Sequence, residues 1–112
     1  MVVLPAAGSG RPEQKEHTLE FLVHVNVSRV FELPAAERDD VIRREQERGR
    51  DLLDRGVIKH FWTLVGKRAN VGVWVAADAE ELHAVLSDLP IWPWADIEVT
   101  PLITHHLVTE TR

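Results

Sequence analysis

Between Lys59 and Leu102 the sequence reads KHFWTLVGKRANVGVWVAADAEELHAVLSDLPIWPWADIEVTPL, and the order of its parts leaves few folds open. Lys59 to Val65 is an apolar run suited to a strand. Gly66-Lys67-Arg68-Ala69 supplies a turn, and Asn70 to Val75 returns as a second strand. Asp78 followed by Glu81 three residues on is a capping-box signature, and it opens a helix that runs to about Ser87. Pro90 and Pro93 break that helix into a loop, and Asp96 to Leu102 forms a closing strand.

The upstream half completes the pattern. Leu19 to Val27 alternates, with Phe21, Val23, Val25 and Val27 on one face and Glu20, Leu22, His24 and Asn26 on the other. Pro34 opens a long helix over roughly Ala35 to Arg55, and Gly56 ends it. The order β-α-β-β-α-β predicts a ferredoxin-like α+β domain, its sheet covered by helices on one side. The other side is also rich in Val, Leu, Ile and Trp, so it too needs a cover, and a second copy of the same sheet is the simplest one. A homo-oligomer is therefore expected. Met1 to His17, with Gly8-Ser9-Gly10-Arg11-Pro12 and the polar Glu13 to Glu16, is expected to be a disordered arm ahead of a domain spanning residues 18–112.

At 112 residues the chain fits one domain of modest core. Hydrophobic residues at 45% and charged residues at 28% are ordinary for a globular protein. The formal net charge of −5 argues against nucleic acid as a partner, since phosphate binding needs clustered cations. With no cysteine, disulfides, thiol nucleophiles and thiolate metal sites are ruled out, and a cytoplasmic setting is allowed. No apolar run is long enough to cross a bilayer, and the first residues lack the basic start of a signal peptide.

The long helix contains an oddity. Val41, Ile42, Leu52 and Leu53 mark its apolar face, and Glu45 and Gly49 fall in the middle of it. A carboxylate there is costly unless paired, hydrogen-bonded or protonated, and a helical glycine costs about 1 kcal/mol relative to alanine. Together they suggest a cavity with an acid at its wall, its pKa raised by burial as suits a group that takes and returns a proton. The competing reading of Glu45 is a buried ion pair with Arg68 or a histidine. His60 and Trp62 share a strand face; His60 is a candidate hydrogen-bond donor or a structural histidine. Arg68 is a candidate carboxylate clamp or a solvated turn residue, and Asn70 a candidate ligand contact or a turn stabiliser. His24, on the polar face of the first strand, suits an interface histidine. Trp92 and Trp94 suit packing or subunit contact over a substrate stack, and His83 suits a structural role. His105-His106 has no third metal ligand at a supporting spacing.

Several of these pieces resemble one family. His60-Phe61-Trp62, Val65-Gly66, Arg68-Ala69-Asn70-Val71, Glu81-Leu82-His83, Leu89-Pro90, Pro93, Asp96 to Leu102 and His105 are similar to muconolactone Δ-isomerases, small enzymes of catechol breakdown that shift a ring double bond in an unsaturated lactone. The resemblance begins at about Leu19 and implies a barrel-like dimer that assembles further. It implies a cofactor-free 1,3 proton transfer on a lactone carboxylate. Glu45, at a helix position where the family also has a glutamate, or His24 would be the base. His60 would be the donor, Arg68 the clamp, and Asn70 and Trp62 further substrate contacts. The family commonly has arginine and aspartate where this chain has His24 and Asn26. Two rival readings are a non-catalytic binding or assembly module of the same fold, and an isomerase, cyclase or dehalogenase acting on another lactone or a polyketide-like acid.

Overall fold

The structure, a computed structural model, describes residues 18–110. The expected arm, residues 1–17, lies outside the described residues. The chain runs β1 (Leu19–Asn26), α1 (Ala35–Asp54), β2 (Ile58–Thr63), β3 (Ala69–Ala76), α2 (Ala79–Ser87), β4 (Asp96–Leu102) and a short α3 (His106–Glu110). The 3-10 turns Ser28–Glu32 and Trp92–Trp94 lead out of β1 and into β4. The four strands form one antiparallel sheet in the order β2-β3-β1-β4, the ferredoxin-like arrangement that the element order predicts. No helix among the described residues is long and apolar enough to cross a membrane.

Local chemistry sets the element ends. Gly56, at φ +79°, closes α1 in a Schellman motif: its N–H bonds to the Leu53 carbonyl at 3.1 Å, and the Val57 N–H bonds to the Leu52 carbonyl at 2.9 Å. The Asp78 carboxylate accepts the Glu81 N–H at 2.8 Å and caps α2. Glu81 reaches back to the N–H of Ala77, one residue ahead of the cap, so the expected box closes a residue early. The hairpin turn also falls earlier than expected. The Lys67 N–H bonds to the Leu64 carbonyl at 3.2 Å, with Gly66 supplying the positive φ, and the ladder resumes at Ala69.

The core lies between the helices and one sheet face. Val23, Val30 and Leu52 are fully buried, joined by Phe21, Val25 and Trp74 from the sheet and by Val41, Leu82 and Leu86 from α1 and α2. The alternation of β1 determines this division, because Phe21, Val23 and Val25 are buried while Leu22, His24 and Asn26 on the opposite face are half-buried.

A register shift in β2 decides which side chains face the core. Ile58 pairs with Trp74 and His60 pairs with Val73, so Lys59 is an extra residue in the ladder. Unbroken alternation from the buried Ile58 would turn His60 and Trp62 toward α1. The bulge reverses this. Phe61, paired with Gly72, takes the helix side, and His60 and Trp62 go to the open side with Val73 and Val71. Gly72 is required by space. A Cβ there would stand 2.7 Å from the His60 carbonyl oxygen, 3.1 Å from Phe61 Cδ1 and 3.3 Å from Trp74 Nε1.

Candidate active site

A cleft of about 430 Å³ opens between α1 and the helix side of the sheet. Its floor is Val25 of β1, Asn70 and Trp74 of β3, and Ile58 and Phe61 of β2. Its wall is the α1 face bearing Glu45, Gly49, Leu52 and Leu53, with Arg50 beside them and Leu89 beyond α2. Such a site, mostly apolar with a few polar groups, is what a small organic ligand needs.

Glu45 is half-buried in this wall, and its Oε1 accepts the Ile91 backbone N–H at 3.0 Å. Among the described residues it forms no ion pair, so neither Arg68 nor a histidine partners it. Arg48 lies close enough to act on it electrostatically, but its guanidinium is directed to Asp88 at 3.2 Å and Asp51 at 3.5 Å. Desolvation pushes the Glu45 pKa above the ordinary carboxylate value, partly opposed by the Ile91 hydrogen bond and then by the Arg48 charge. The result is a carboxyl held in place, facing apolar surface, and more basic than an exposed one.

Asn70 Oδ1 and Trp74 Nε1 are buried without a hydrogen-bond partner among the described residues, and both residues belong to the cleft floor. Buried polar atoms of this kind are costly to a fold.

Of the residues named from sequence, Glu45 and Asn70 come together in the cleft, and the others do not. His24, His60 and Trp62 lie on the opposite sheet face: Trp62 pairs with Val71, which pairs with His24, and His60 sits one row away. The His60 and Trp62 rings stack at 5.7 Å. Within one subunit the sheet stands between them and Glu45. Arg68 is exposed, with its guanidinium carbon 3.9 Å above the Phe31 ring, and is not part of the cleft lining. His83 packs edge-on against Trp92 at 5.7 Å. His105 and His106 stack at 4.4 Å, and no cluster of three or more metal-binding side chains occurs among the described residues.

Sequence reasoning missed Arg50, Phe61 and Trp74. Arg50 is the cation of the cleft lining, exposed at its rim and free of any ion pair among the described residues. Its signal was its place beside Gly49. Trp74 could be found from its parity with the buried residues of β3, since an indole on a core face brings an N–H that must be satisfied. Phe61 could not, because only the bulge turns it inward.

The model of the muconolactone delta-isomerase family matches residues 19–107. The chain belongs to the muconolactone Δ-isomerase family. The muconolactone Δ-isomerase of Cupriavidus pinatubonensis is 35% identical over 85 residues, spanning 76% of this chain and 92% of the relative. That of Rhodococcus opacus is 32% identical over 85 residues, spanning 76% and 91%. A crystal structure of muconolactone isomerase superposes with a TM-score of 0.68 at 32% identity, covering 77% of this chain and 90% of that one. The family match thus spans the whole βαββαβ unit and every residue of the cleft lining.

Proposed function

We propose that this chain isomerises a small unsaturated lactone carboxylate of the muconolactone type by a 1,3 proton transfer, with Glu45 as the base. The Glu45 carboxylate takes a proton from the ring carbon next to the conjugated system. The C–H electron pair delocalises through the conjugated system onto the lactone carbonyl oxygen as a dienolate. The same carboxyl then returns the proton to a different carbon, and the double bond has moved. The step is redox-neutral and Glu45 ends as it began, so the chemistry calls for no electron acceptor or cofactor. Donors from the cleft floor, the Trp74 N–H and the Asn70 side-chain NH2, suit the lactone carbonyl oxygen as it becomes the enolate. Arg50 suits the substrate carboxylate better than Arg68, because it lines the cleft. The observation that carries the reading is a carboxyl with raised pKa and no ion pair, set in the wall of an apolar cleft.

The pH dependence of muconolactone turnover tests this. Glu45 works as a base only when ionised, so the rate is lost as pH falls through its raised pKa. The acid limb of kcat/KM is expected above the ordinary glutamate value of 4.5. No turnover at any pH, or an acid limb at an exposed carboxylate's value, would sink the assignment. The same shift bears on stability with a definite sign. A carboxyl whose folded pKa is raised favours folding when protonated, and that contribution is lost as pH rises through the folded pKa.

Assembly belongs to the same reading. The open sheet face presents Leu22, Val71, Val73, Val75 and the 52% exposed Trp62 beside His24 and His60. A second copy of the sheet is the proposed cover, and His24, His60 and Trp62 then serve the subunit contact. Light scattering at micromolar concentration is expected to give at least a dimer. A monomer would remove the shared-barrel arrangement.

A further inference from the structure

Gly49 stands one helical turn beyond Glu45 on the same face of α1, in the wall of the cleft. Glycine inside a helix needs a reason, because it costs stability relative to alanine. The usual reasons are a positive φ or the close approach of another element. Gly49 has neither. It is not among the positive-φ glycines, and a Cβ built on it meets nothing within 4 Å. Gly72, in β3 between Asn70 and Trp74, shows the contrast, because a Cβ there would collide with backbone. What Gly49 supplies is empty space beside the base.

We propose that Gly49 sets substrate specificity by leaving room for a substituent, at least a methyl group, on the lactone ring near the carbon that Glu45 deprotonates. The substrate class is then a ring-alkylated unsaturated lactone carboxylate as well as the unsubstituted one. This rests on the reading of the cleft as a lactone site. The surrounding side chains support an apolar substituent over a polar one. Leu52, Leu53 and Phe61 share the cleft with Gly49, and these side chains offer a substituent apolar surface and no hydrogen-bond partner. An extra methyl in such a space discriminates by roughly 10- to 200-fold.

The test uses Gly49→Ala and Gly49→Val in the full chain, with muconolactone and a ring-methylated muconolactone. Binding of both lactones is measured by calorimetry in a Glu45→Gln background, where neither is consumed, and turnover is measured with Glu45 intact. The Gly49 chain is expected to bind the methylated lactone at least as tightly as the plain one. Gly49→Ala should weaken the methylated lactone by about 10-fold or more relative to the plain one. Gly49→Val should extend the loss, and Gly49→Ala should melt higher than the parent. Equal losses for both lactones, or none, overturn the proposal. So does a change in oligomer mass on substitution, which would mean that the space is filled by another subunit. If both lactones bind as expected but neither turns over, the isomerase reading fails while the specificity role of Gly49 stands.

Discussion

Glu45→Gln is expected to lower the turnover of muconolactone by about 10²-fold or more, the scale on which a positioned base acts. Glutamine keeps the shape and an acceptor oxygen for the Ile91 N–H, which the carboxylate accepts at 3.0 Å, but it cannot take a proton. The stability effect separates this role from a structural one. Breaking a buried ion pair strands a charge and costs about 3–5 kcal/mol. Glu45 has no ion-pair partner among the described residues to strand, and its charged form already carries a desolvation penalty. The melting temperature is therefore expected to stay level or rise at neutral pH, where the penalty applies. Activity and melting measured on one preparation decide the matter. Full turnover with a large fall in stability would remove Glu45 from the chemistry.

Gly72→Ala is expected to destabilise the fold by about 2–3 kcal/mol, as overpacking does when the obstructing atom is fixed. The added methyl would stand 2.7 Å from the His60 carbonyl oxygen, which is backbone in the paired strand and cannot swing aside. It would also press on Phe61 Cδ1 at 3.1 Å and Trp74 Nε1 at 3.3 Å, both on the cleft floor. A lowering of the melting temperature on the order of 10 °C is expected, with weaker lactone binding as the floor is displaced. Differential scanning calorimetry reads the first and titration calorimetry the second. The same substitution at Gly49 has the opposite sign in stability, since nothing opposes its Cβ. An unchanged melting temperature for Gly72→Ala would mean that the β2–β3 pair yields more easily than its geometry implies.

The sequence by itself determined the element order, and with it the ferredoxin-like sheet. The alternation of Phe21, Val23 and Val25, the Asp78 cap and the Gly56 helix end are local signals that need no tertiary context. It also marked Glu45 and Gly49, because a carboxylate and a glycine on an apolar helix face break a local rule and so point to a cavity. The tertiary structure decided which other residues share that cavity. His60 and Trp62 read as companions of Glu45 until the bulge at Lys59 turned them to the far face and brought Phe61 in. A strand's side chains alternate with a period of two, so one inserted residue exchanges the faces, and no local preference records the insertion. Arg50 and Trp74 came to share the cleft only when α1 was laid over the sheet, because proximity between residues far apart in sequence is a property of packing.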